Sequence, residues 1–169
     1  MQNIKLRLAT DSDIDSIMDI EKDSFIEAIQ ESVEVFVQRI KTFSQGFIVF
    51  EQSTVFGYMC CELWDDVEIN AKTFALNHDI KKTHCSDGSV LYISSFAIKK
   101  EFRGKGLGNK LFLECINKLI MDFNIKKIVL LVNESWQGAI NIYKKNGFVE
   151  NSRLKNFFCT DDKSYNDGI

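Results

Sequence analysis

A mixed α/β domain, with a mostly antiparallel central sheet flanked by helices, is predicted by three observations. Several short stretches alternate apolar and polar residues or run continuously apolar with β-prone composition. Other stretches repeat apolar residues at three- and four-residue steps. The two kinds follow one another in the order β-α-α-β-β-β-α-β-α-β-β. No linker, repeat or low-complexity tract interrupts the 169 residues, and there is no proline, so one domain over 1–169 is expected.

The first strand is read at 3–8, where Ile4, Leu6 and Leu8 alternate with Lys5 and Arg7. Thr10 followed by Asp13 forms a capping-box pattern, and Ile14, Ile17 and Met18 continue at helical spacing. Ser32 is positioned to cap a second helix carrying Val33, Phe36, Val37 and Ile40 on one face. Residues 47–51 and 55–64 read as a hairpin around Gln52-Ser53-Thr54. A polar, irregular segment, 65–88, holds both His residues and has the length of a segment that covers a site. Strand 89–98, a helix over about 105–122 with Leu107, Leu111, Cys115 and Leu119 at four-residue steps, and strand 126–132 follow. Ser135 is expected to cap a last helix, with Trp136, Ala139, Ile140 and Tyr143 on one face and Gly147 as its stop. Phe148–Glu150 and Asn156–Cys159 read as the closing strands.

At 45% hydrophobic, with 14 Phe, the chain can fill a core largely with aromatic bulk. No apolar run approaches the ~20 residues of a membrane span. The opening Met1-Gln2-Asn3-Ile4-Lys5 lacks the pattern of a signal peptide. A cytoplasmic monomer or homodimer, with no membrane or nucleic-acid partner, is expected. The five Cys are odd in number and lack metal-type spacing, and His78-x5-His84-Cys85 has no zinc spacing. Free thiols and no metal are therefore expected. Charge is distributed unevenly within a net −3: nine acids against Lys22 between Thr10 and Phe36, and five bases against Glu101 between Lys99 and Lys110. One part of the molecule should attract cations and another anions.

The basic part contains Arg103-Gly104-Lys105-Gly106-Leu107-Gly108, between a strand and a helix. Glycines let backbone amides approach an anion, the helix adds its positive end, and Arg103 and Lys105 add charge. A pyrophosphate suits such a site. A P-loop would need Lys-Ser/Thr after the last glycine, where Asn109-Lys110 stands, and a dinucleotide fingerprint would need G-x-G-x-x-G.

This Arg-x-x-Gly-x-Gly loop, directly after Phe96-Ala97-Ile98, resembles the acetyl-CoA-binding signature of the GNAT superfamily of N-acetyltransferases. Val132-Asn133-Glu134-Ser135 and Ala139-Ile140-Asn141-Ile142-Tyr143-Lys144-Lys145-Asn146-Gly147-Phe148 resemble its second signature. The element order agrees with the GNAT fold, so the resemblance spans essentially the whole chain. It implies acetyl-CoA as co-substrate. The backbone of Phe96, Ala97 and Ile98 would pair with the pantetheine arm and polarise the thioester carbonyl. Amides from Arg103 to Gly108, including Leu107, would hold the pyrophosphate. Tyr143 would protonate the leaving thiolate. Seven residues before Tyr143, where relatives carry an Asn that touches the cofactor arm, stands Trp136; Asn133 is the residue that would compensate.

An amine acceptor arrives protonated, so a base must take its proton. Relatives carry Glu or His where Tyr92 and Ser94 stand here. Glu62 is the carboxylate assigned to the base role, with a water relay through Ser94 as the other route. Because the acidic stretch falls on the first two helices, which wall the acceptor site in this family, a small cationic amine is the leading acceptor. A peptide or protein N-terminus is the alternative, since Arg153-Leu154-Lys155-Asn156-Phe157-Phe158 is similar to a segment of enzymes acting on such termini. A closed pocket under 65–88 would favour the first and an open groove the second. A non-catalytic acyl-CoA sensor is a third reading.

Overall fold

The computed structural model describes residues 3–169. Met1 and Gln2, part of the opening read above for a leader, lie outside the described residues. Five strands form the central sheet in chain order: β1 (Lys5–Leu8), β2 (Phe47–Glu51), β3 (Val55–Trp64), β4 (Val90–Ile98) and β5 (Lys127–Leu130). All neighbours are antiparallel except β4 and β5, which run parallel. The helices are α1 (Ile14–Ser24), α2 (Val33–Thr42), a single turn α3 (Ile80–Thr83), α4 (Leu107–Asp122) and α5 (Gln137–Lys145). A second sheet pairs β6 (Leu154–Cys159) with β7 (Tyr165–Gly168), and β7 is tied to the end of β5 through the Asn133–Gly168 bridge.

Alternation in the strands divides the core. Met59, Cys61, Leu91, Ile93 and Ile98 face α4 with Leu111, Phe112 and Leu119. Val49, Tyr58, Cys60 and Ala97 face α1 and α2 with Ile17, Ile20 and Phe36. A third cluster, around Trp64, Phe74, Val90 and Tyr92, attaches 65–88 to the sheet. Apolar burial on both faces explains why β3, buried along its whole length, reads as a nearly continuous apolar run rather than a clean alternation.

The hairpin boundaries coincide with the sequence reading, and the Thr10–Asp13 pattern is real: the Thr10 amide donates to Asp13 Oδ2 at 2.8 Å. The end of the chain differs from expectation. Phe148–Glu150 is not a strand. Gly147 takes φ +85°, and the amides of Phe148 and Gly147 close on the carbonyls of Tyr143 and Lys144 at 3.1 Å. This is a Schellman closure, and Phe148 plugs the core against Phe112 instead of extending. The helix before it is capped at Trp136, not Ser135. Strand β7 was missed because Tyr165–Gly168 carries no apolar alternation; backbone pairing with β6 makes it a strand.

Candidate active site

Strand β4 pairs with β5 only from Val90 to Ile93. Beyond that point β4 keeps β3 on one edge and, among the described residues, has no strand on the other, so the sheet opens along Ser94–Ile98. A cavity of about 90 Å³ lies in this opening. Its wall includes Glu21 and Glu31, Ser94 to Phe96 of β4, Leu130 to Val132, Trp136 and Tyr143. Tyr92 of β4, Phe74 and Leu76 of 65–88, and Phe157 and Phe158 of β6 also line it.

The loop Arg103–Gly108 stands beyond the open end of β4. Gly104 and Gly106 take φ +73° and +75°, a region in which L side chains are strained, and the space where a Cβ would sit is empty at both. Gly106 is the N-cap of α4. Among the described residues no group accepts from the amides of Gly104, Lys105 or Gly106, so they and the first amides of α4 remain available to an anion. Gly108 serves packing: a Cβ there would approach Ile142 to 2.9 Å. Arg103 braces the loop from below, donating to the Ile98 carbonyl at 2.7 Å and to Ser24 Oγ at 2.9 Å. Lys105 donates to the Glu101 carbonyl at 2.9 Å and lies over the Phe102 ring. A splayed strand with a free backbone edge, leading to a nest of unpaired amides, fits an extended acyl carrier ending in a pyrophosphate.

Tyr143 is held by the Schellman closure behind it and by the rings of Phe112 and Phe148. Burial pushes its phenol above the ordinary value, so it is present as a neutral O–H donor. Asn133 is 3% exposed and turns Oδ1 to the amide and hydroxyl of Ser135, at 2.9 and 2.8 Å. It shapes the β5–α5 turn and is not part of the cavity wall. Trp136 is, between the rings of Phe25 and Phe158.

Ser94 is the extra residue of a β-bulge. Cys60 pairs with Ser95 and Cys61 with Ile93, leaving Ser94 unpaired, its Oγ donating to the Cys60 carbonyl at 3.1 Å. The bulge reverses which side chains share a face. Ala97 joins the α1–α2 face with Tyr58, while Phe96 packs with the α4 cluster.

Glu62 is fully buried and does not line the cavity. Its carboxylate accepts from His78 Nε2 at 2.5 Å, Thr83 Oγ1 at 2.6 Å and Trp64 Nε1 at 3.0 Å. His78 Nδ1 contacts the Ala75 carbonyl at 2.9 Å. With Glu62 ionised, both ring nitrogens face acceptors, an arrangement that suits the imidazolium, and the Glu62 contact raises the His78 pKa against the effect of burial. Burial pushes the Glu62 carboxyl up, but its three donors outweigh that and hold it below its ordinary value. The residue assigned to the base role is a sealed anchor for 65–88.

Two carboxylates line the cavity: Glu31, which is paired with Arg39, and Glu21, which the sequence reading did not single out. Its Oε2 accepts from the Tyr58 hydroxyl and its Oε1 from the Glu31 amide at 3.0 Å. Tyr58 also meets Ser95 Oγ at 3.0 Å. Burial raises the Glu21 carboxyl, its two donors pull it back, and it comes to about 7. The signal was its position: on α1 it follows Ile14, Ile17 and Met18 along the apolar stripe, where a carboxylate is out of place. The other acids of the stretch are mostly engaged or solvated. Arg7 chelates Asp13 at 2.8 Å and holds it at about 2. Arg39 clasps Glu31 from within the core. Asp23 accepts from the Lys100 amide. Glu21 and Glu31 alone of the nine line the cavity.

Comparison with known proteins bears on this arrangement. The profile of the Acetyltransferase (GNAT) family matches residues 14–148. An N-alpha-acetyltransferase of Sulfolobus acidocaldarius is 27% identical over 165 residues, covering 96% of this chain and 90% of that protein. Among solved structures, the loading GNATL domain of CurA from Lyngbya majuscula superposes with a TM-score of 0.82 at 15% identity, over 98% of this chain and 94% of that one. The ribosomal-protein-S18-alanine N-acetyltransferase from Escherichia coli gives 0.72 at 16%, over 98% and 90%. At those identities the structures establish the fold and not the acceptor.

Proposed function

The chain belongs to the GNAT acetyltransferase family, and from that premise we propose that it moves an acetyl group from acetyl-CoA to the α-amino group of a peptide or protein N-terminus. The observation that carries this reading is the Glu21 carboxyl in the cavity, held at about 7. An α-amine has a pKa of about 7.7–8.0, so passing its proton to such a group costs about 1 kcal/mol. An alkylamine near ~10.4 would cost about 5 kcal/mol. Full-length similarity to an N-alpha-acetyltransferase points the same way and favours the alternative acceptor over the small amine expected first.

The residues present divide the work. The free edge of β4 at Phe96, Ala97 and Ile98 would hold the pantetheine arm and present an amide to the acyl oxygen, and the amides of 104–108 would hold the pyrophosphate. Acetyl-CoA supplies the activated acyl group. Glu21 removes the acceptor's proton, in the role first assigned to Glu62. Tyr143 donates a proton to the departing sulfur.

The second reading, a small primary amine, is favoured by the cavity itself. It measures only about 90 Å³, and Phe74 and Leu76 of the 65–88 segment form part of its wall. Mass spectrometry of acetyl-CoA reactions with free-N-terminal peptides, the same peptides α-blocked, and polyamines and arylalkylamines separates the two. Turnover of free but not blocked peptides supports the proposal. Turnover of the small amines alone overturns it. Tyr143→Phe should cut turnover about 10²-fold at unchanged acetyl-CoA affinity; unchanged turnover removes Tyr143 from the mechanism.

A further inference from the structure

We infer that Ser95 and Tyr58 form a directional proton relay from the acceptor amine to Glu21. This rests on the amine-acetylation reading above and adds the route the proton takes. Tyr58 is completely buried on β3, and Ser95 lies on β4 in the cavity wall, turned to the Tyr58 side by the bulge at Ser94.

The polarity of the chain follows from the inventory of hydrogens. An ionised Glu21 has none to give, so Tyr58 must donate its single hydroxyl hydrogen to Oε2. The 3.0 Å contact between Tyr58 and Ser95 can then be filled only by the Ser95 hydrogen. That leaves the Ser95 oxygen with lone pairs available on the cavity side. An ammonium, which only donates, finds its acceptor there. Both Glu21 oxygens are already engaged, by Tyr58 and by the Glu31 amide, which makes the hydroxyl the better placed receptor.

The transfer balances in one concerted shift. An N–H bond of the acceptor breaks as an O–H bond forms on Ser95. The original Ser95 hydrogen moves to Tyr58, and the Tyr58 hydrogen moves to Glu21 Oε2. Ammonium and carboxylate become amine and carboxylic acid, both hydroxyls are regenerated, and no electrons change hands. Neither hydroxyl needs to be anionic outside the transition, consistent with burial holding the Tyr58 phenol well above its ordinary value. Glu31 and Tyr92 line the cavity beside the relay, and the charge of Glu31 raises the Glu21 carboxyl while that of Arg39 lowers it. Arg39 and Glu31 are paired with each other, so their charges offset beside the relay.

The test is the pH dependence of kcat/KM for an accepted free-N-terminal peptide, in the wild type, Ser95→Ala, Tyr58→Phe and the double variant. Each single change should lower the rate about 10²-fold at pH 7. Acetyl-CoA affinity and melting temperature should stay close to wild type in Ser95→Ala, which carries the test alone should Tyr58→Phe fold poorly. The defect should shrink as pH rises past the α-amine's ~8, where the acceptor arrives neutral. The double variant should be no worse than either single, because one broken link opens the whole chain. A loss of equal size at every pH, or no loss at pH 7, overturns the relay and leaves the acetylation reading intact. A wild type that binds acetyl-CoA but turns over no amine overturns both.

Discussion

Two buried carboxylates lie on strands and helices of the same sheet face, yet their acidities move in opposite directions. Glu62 is fully buried with three side-chain donors, one of them the His78 imidazolium, and is held below its ordinary value. Glu21 is 2% exposed with one hydroxyl and one amide donor, and rises to about 7. Burial opposes charge at both sites, and the number and charge of the donors decides the outcome. A carboxylate saturated with donors and paired with a cation is a fastener. One left short of donors, beside a cavity, can exchange protons.

The comparison can be broken most directly at the fastener. Glu62→Ala leaves the His78 cation, Thr83 and Trp64 without their acceptor, and should cost about 3–5 kcal/mol in chemical denaturation. Proteolytic cleavage should then concentrate within 65–88. A loss below ~1 kcal/mol would mean that Glu62 does not anchor the segment.

Glu21→Gln sharpens the contrast by moving stability and activity in opposite directions. The folded carboxyl lies at about 7 against an ordinary 4.5. Its stabilising contribution is therefore full below 4.5 and disappears as pH rises through about 7, a difference on the order of 3 kcal/mol. Gln does not titrate, so the variant should unfold later than wild type at pH 8 while losing turnover at pH 7. Equal stability at pH 5 and pH 8 in the wild type would contradict the raised acidity constant.

The smallest effect belongs to His78. Its folded value is raised above 6.5, since burial lowers it but the Glu62 hydrogen bond and charge raise it by more. Its contribution is present below 6.5 and is lost as pH rises through the raised value. Glu62, being depressed, contributes above 4.5 and loses that contribution as pH falls through its lowered value. In the Glu21→Gln background, a remaining decline in melting temperature above pH 6.5 should vanish on adding His78→Gln.

Much of the side proposed to hold the cofactor was legible because it is local. The loop Arg103–Gly108 and the Tyr143-x-x-x-Gly147-Phe148 spacing depend on residues within one turn of each other, where glycine conformations and a Schellman closure leave a fixed pattern in the chain. The β2–β3 hairpin and the α1 capping pattern were legible for the same reason. The side proposed to receive the acceptor was not, since each of its links joins residues far apart: Glu21 with Tyr58, Tyr58 with Ser95, Glu62 with His78. The reading of Glu62 and Ser94 rested on the strands they occupy, and the bulge at Ser94 that turns Ser95 to the Tyr58 side has no signature in the sequence.

The sequence by itself determined the fold class, the family and the glycine-rich turn before α4, because periodicity and short-range backbone geometry are written residue by residue. Which carboxylate meets the cavity, which way Tyr58 donates and how 65–88 is fastened were decided only by the tertiary structure. The apolar stripe of α1 marks Glu21 for burial, but the donors that set its acidity and fasten 65–88 are brought together across the sheet and have no local signature.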